Sequence, residues 1–139
     1  MITQKQISAL TMPLCHFIGH NQQKAIIQGL KGEESQYFID KLTEYALRVQ
    51  NMPKTYEQDG KGNQAIVYLH YFIGNCDWWI LEKDMDTNNE GQIQAFGFAN
   101  IGYGAELGYI NISEILENNG ELDLHFKPVT VEELKKTWN

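Results

Sequence analysis

Two cysteines, three prolines and only eleven basic residues occur among 139 positions, and each shortage narrows what the chain can be. Cys15 and Cys76 lie far apart and form no spaced framework, so a disulfide-stapled scaffold is not indicated. Two free thiols in a reducing cytoplasm are expected instead. No apolar run approaches the roughly 20 residues that a membrane-spanning helix needs. Met1 to Leu10 carries one lysine and no apolar core, so no secretory signal is expected. Eighteen acidic residues against the eleven basic ones give a net charge of -7. Coating a DNA duplex needs a basic face that displaces counterions, so that role is a poor fit. An acidic surface that meets a basic partner stays open. There is no internal repeat and no low-complexity tract.

What remains is ordinary for a folded chain. A composition of 42% apolar and 21% charged residues suits a globular protein. A chain of this length buries about two-thirds of its unfolded surface, and residues 1–139 are read as one domain. The first fifty residues look helical. Thr3 is placed to cap a helix through Leu10, and a second helix is expected over 21–30, ended by Gly29 or Gly32. In a third, Phe38, Leu42, Tyr45, Ala46 and Val49 recur at three- and four-residue spacing before Pro53 stops it.

A polar loop, 53–63, then leads to the β-branched and aromatic centre of the chain, 64–112. Residues 65–73 are apolar on both faces and read as a central strand. Gly74-Asn75 turns into a strand over 77–83 that carries Trp78 and Trp79 on opposite faces. A third strand is expected over 92–99, with a short one over 107–111. Ser113 is placed to cap a short helix to Asn118. Leu122, Leu124 and Phe126 alternate with Asp123 and His125 in a last strand, and Thr130 with Glu133 spells a capping box. The order gives an α+β fold: an antiparallel sheet of about four to five strands, with the N-terminal helices packed on it and short helices interleaved.

Chemical motifs are sparse. The run 84–91 alternates oxygen ligands as a calcium loop does, but Ala95 stands where the bidentate glutamate belongs. Gly102, Gly104 and Gly108 suggest a phosphate loop, yet no helix or lysine follows in the required place. Cys15, His16 and His20 are one potential zinc cluster without a partner cluster. Cys76 and His70 face each other across a hairpin as a potential nucleophile pair, with Asp77 nearby. Glu106 sits in an apolar, aromatic and glycine-rich segment where burial would demand a partner. Tyr103, Glu106 and Tyr109, with His70 and His125, therefore form the candidate functional loop. One tryptophan with Tyr68 or Phe72 is a candidate exposed patch. Lys24, Lys31, Lys41, Arg48 and Lys54 are the candidate nucleic-acid contacts. No cofactor and no metal is expected.

The motifs 52-MPKTYEQDG, IVYLHYF, DWWILEKD, QAFGFANIGYGAELGYINISEI and ELDLHFKP resemble the bacterial domain of unknown function family 2958, over about residues 52–133. Its signature corresponds here to Phe96-Gly97, Ile101-Gly102-Tyr103-Gly104 and Glu106-Leu107-Gly108-Tyr109, with Ile101 in place of the usual leucine. The resemblance transfers no reaction. It implies a cytoplasmic accessory protein of a phage, plasmid or other mobile element. With no catalytic constellation, the expectation leans away from an enzyme and towards binding a host or defence protein. Self-association into a homodimer stays open. The alternatives are a small enzyme or ligand-binding domain around Glu106, and a nucleic-acid-associated protein.

Overall fold

A computed structural model describes residues 1–86 and 91–138. Helices α1 (Gln4–Thr11), α2 (His20–Leu30) and α3 (Ser35–Asn51) come first, with a single 3-10 turn, Met12–Leu14, after α1. Thr3 caps α1 in a full capping box with Gln6, which satisfies two of the amides that a helix start leaves bare. Helix α2 runs to Leu30 with Lys31 as its C-cap and Gly32 directly after it, so of the two glycines Gly29 does not end it. Gly29 lies inside it because a Cβ there would stand 2.2 Å from the Phe38 ring, so the glycine lets α3 approach. Along α3, Leu42, Tyr45 and Val49 are buried and Phe38 and Ala46 half-buried, as their spacing requires.

The strands are β1 (Ile66–Val67), β2 (Leu69–Ile73), β3 (Cys76–Glu82), β4 (Ala95–Asn100), β5 (Glu106–Ile110), β6 (Glu121–Leu122) and β7 (Val129–Thr130). Helices α4 (Ile112–Glu117) and α5 (Val131–Lys136) are interleaved. Five strands form one antiparallel sheet in the order β5-β4-β3-β2-β6, and β1 pairs with β7 in a separate two-stranded sheet. The fold is α+β, as the element order implies. Gly74 takes the left-handed φ of 53° in the two-residue β2–β3 turn, closing Ile73 onto Cys76.

Four local expectations are corrected. Residues 65–73 are not one central strand: the chain breaks at Tyr68, β1 leaves for β7, and β3 takes the centre. The last strand ends at Leu122, because the Asp123 carboxylate accepts the His125 amide and turns the chain. The cap of α4 is Asn111, whose side chain accepts the Glu114 amide, and not Ser113. Strand β4 starts at Ala95, and Ile93 before it is exposed.

The two sheet faces are covered differently. On one, Leu69, Tyr71, Ile80, Ala95 and Ile110 join the buried residues of α1 to α3 in the main core. On the other, Trp79, Leu81 and Phe98 lie beneath Val131 and Leu134 of α5, with Val67, Phe126 and Trp138 alongside. That second cover reaches β2, β3 and part of β4. It stops short of β5, whose Leu107 and Tyr109 point to the same face as Phe98 and Phe96.

Candidate functional site

The open half of the second face is bordered by the 53–63 loop, and two buried side chains hold that loop in place. The Glu82 carboxylate, at the end of β3, accepts the Tyr56 and Gln58 amides at 2.8 Å each. Gln58 in turn donates to the Ile66 and Leu81 carbonyls and accepts the Ile66 amide. A buried carboxylate is tolerated when such donors replace its water. Thr55 adds a hydroxyl on the Lys83 and Gln94 carbonyls. Fixed this way, Tyr56 adopts φ 78°, a left-handed conformation that costs a non-glycine residue about 1–3 kcal/mol.

The strained Tyr56 projects its ring towards β5. Its hydroxyl meets that of Tyr109, and the two rings stand at 82° with centroids 6.4 Å apart. Tyr109 also meets the Phe96 ring edge-on, at 76° and 5.8 Å. The hydrogen bond to Tyr56 raises the Tyr109 pKa above the ordinary phenol value of 10.0, with the nearby Glu82 charge adding to it. Beside this aromatic corner lies a cleft of about 600 Å³. Leu81, Phe96, Phe98, Leu107 and Val131 supply its apolar walls, and Asp59, Asn63 and Lys135 its polar rim.

The structure brings Tyr109 into this site and leaves the other candidates elsewhere. Tyr103 is 88% exposed at the β4–β5 turn, where Gly102 and Gly104 take φ of 113° and 94°. Gly108 lies within β5, so the three glycines build no phosphate loop. Glu106 is exposed on the opposite face of β5, so the burial expected of it, and the demand for a partner, do not arise. His125 is exposed.

His70 is held between two carboxylates. Nδ1 lies 2.9 Å from Asp123 Oδ2 and Nε2 2.8 Å from Asp77 Oδ1. The ring stacks on Trp79 at 5.5 Å, with Phe72 and Phe126 around it. Both ring nitrogens are engaged, so His70 does not activate Cys76 as a base would. The arrangement ties β2, β3 and the turn after β6 together.

The remaining motifs also resolve into structure. Asp84, the first residue of the run that resembled a calcium site, is buried and its carboxylate accepts the amides of Asp86, Ile93 and Gln94. Residues 87–90 of that motif lie outside the described residues. Among the described residues, no group of three histidine, cysteine or acidic side chains is placed to hold a metal, so Cys15, His16 and His20 do not form a zinc cluster. Trp79 is buried and Trp78 half-buried, and Tyr68 and Phe72 are half-buried too, so the exposed aromatics are Tyr37, Tyr56, Tyr103 and Tyr109. Arg48 is held over the Tyr45 ring and donates to the Phe126 carbonyl at 2.9 Å, and Lys41 pairs with Glu44. Among the described residues, no helix is long and apolar enough to cross a membrane.

Sequence reasoning placed Tyr109 but missed Tyr56, Gln58 and Glu82. A loop tyrosine set among polar and glycine residues was the available signal for Tyr56; nothing local marked Glu82 as buried. The chain matches no family model, no curated protein and no solved structure.

Proposed function

We propose that this chain acts by binding another protein along β5 and the uncovered half of the second sheet face. The carrying observation is the exposure of Leu107 (55%), Tyr109 (57%) and Tyr56 (59%) beside a strand edge that no described strand pairs with. An open edge presents unpaired amides and carbonyls to an incoming extended segment, and exposed apolar side chains add contact area. Tyrosine suits such surfaces because it offers a large amphipathic ring with little conformational freedom to lose.

The resemblance of residues 52–133 to family 2958 supports the setting of a cytoplasmic accessory protein of a phage or plasmid, with a host or defence component as partner. The net charge of -7 favours a basic partner surface. The enzyme reading around Glu106 loses its motive with that side chain exposed, and the nucleic-acid reading loses Arg48 to internal bonds.

The test is capture from host lysate with the unaltered chain and with Leu107→Asn/Tyr109→Asn, at physiological salt. A partner retained by the first and lost by the second supports the reading. Equal capture by both, or no specific partner, overturns it.

A further inference from the structure

The geometry points to a cation-binding site at the Tyr56–Tyr109–Phe96 corner, which takes the guanidinium or ammonium head of an arginine or lysine side chain. The inference deepens the protein-binding reading and rests on it only for the source of that side chain.

Three aromatic rings meet there, with Tyr109 nearly perpendicular to both of its neighbours, at 82° to Tyr56 and 76° to Phe96. An edge-to-face contact occupies one face of a ring and leaves its opposite face free, and a cation within about 6 Å of a ring centroid is attracted by the ring's quadrupole. Tyr56 and Tyr109 are both more than half exposed, so solvent reaches much of each side chain. The two hydroxyls touch, which leaves oxygen lone pairs at the mouth of the corner, and the cation–ring contacts among the described residues lie elsewhere, at Tyr37 and Tyr45.

The charge behind the rings has the matching sign. Glu82 is 4% exposed, and its carboxylate sits directly behind the Tyr56 amide. Asp59 is the second carboxylate on the adjoining cleft. Among the described residues, Lys135 is the one cation lining that cleft, and its Nζ donates to Asn63 at 2.9 Å. A buried negative charge is screened less than a surface one, so its field reaches the corner. The strained φ of Tyr56 fits this use: the Tyr56 and Gln58 amides, both bonded to Glu82, hold the ring where an unconstrained tyrosine would not place it.

The test is an amide NMR titration of the full chain with Nα-acetyl-arginine methylamide, alongside its uncharged citrulline counterpart of nearly the same shape. The expected result is saturable shifts at Tyr56, Gln58, Phe96 and Tyr109 with the arginine probe, at millimolar concentration. Citrulline binds at least about twofold to fivefold more weakly, the range a solvent-exposed cation–π contact supplies. Tyr109→Leu, at an exposed position, keeps the spectrum folded and removes the saturable shifts. Equal response to both probes overturns the site, as do unchanged shifts in Tyr109→Leu or arginine shifts confined to exposed carboxylates elsewhere. A chain that binds arginine here but captures no partner through β5 keeps the site and loses the protein-binding reading. Capture through β5 without discrimination of arginine from citrulline does the reverse.

Discussion

The two faces of the five-stranded sheet carry the same kinds of residue and put them to opposite uses. On the helical face Tyr71 is fully buried, and its hydroxyl donates to the Phe17 carbonyl at 2.6 Å. Tyr45 of α3, packed in the same core, places its hydroxyl between the Asp123 and Phe126 carbonyls. On the other face Tyr109 and Tyr56 are exposed, and their hydroxyls meet each other. A tyrosine is committed to the fold where helices cover it and stays available where the cover ends. The difference lies in the length of α5 and its flanks, which close over β3 and leave β5 bare.

Substitutions that separate the faces should show this as a gradient of stability. Two large losses are expected, the first where the sheet itself is tight: a Cβ on Gly97 would stand 1.9 Å from the Trp79 carbonyl oxygen, so Gly97→Ala should cost about 3 kcal/mol or more in denaturant unfolding. On the helical face, Leu69→Ala empties a fully buried site and should cost about 2–5 kcal/mol by the same measurement. Under the partial cover, His70→Ala leaves the Asp77 and Asp123 carboxylates facing each other without their shared donor. A loss of about 1–3 kcal/mol is expected, with His70→Asn retaining part of it. On the bare half, Leu107→Asn should stay within about 0.5 kcal/mol of the unaltered chain. A large loss there would mean that this face of β5 is covered after all.

Alkaline unfolding sharpens the same contrast. Burial pushes the Tyr71 phenol well above its ordinary 10.0, and it raises Tyr45 too, against the lowering effect of Arg48. A phenol with a raised folded-state pKa stabilises the fold fully below pH 10, and this contribution is lost as pH rises through the folded value. The unaltered chain should therefore lose stability steeply above pH 10, and Tyr71→Phe should flatten that slope while weakening the protein at neutral pH. Tyr109→Phe should flatten the slope by less than Tyr71→Phe, because the Tyr109 phenol is raised chiefly by its hydrogen bond to Tyr56 on an exposed face, where solvent screens the effect.

Much of the fold was legible because it rests on near neighbours in the chain. The capping boxes of Thr3 and Thr130, the apolar stripe of α3 and the Gly74-Asn75 turn each involve residues within a few positions. The candidate site was half legible. Tyr109 stood out in its glycine-rich segment, but Tyr56 lies 53 positions away, and their contact depends on loop bonds to Glu82 that no periodicity records. Separations as long or longer hid the pairing of Ile66 with Thr130 and the clasp of His70 by Asp123.

By itself, then, the order of residues determined where helices start, where strands turn and which side of each strand is apolar, because those outcomes follow from local geometry and the avoidance of water. Only the tertiary structure decided which apolar side is covered, which tyrosines remain in solvent and which acid lies beneath the loop. Those outcomes depend on how far one packed element extends over another, and that reach is a property of the assembled chain.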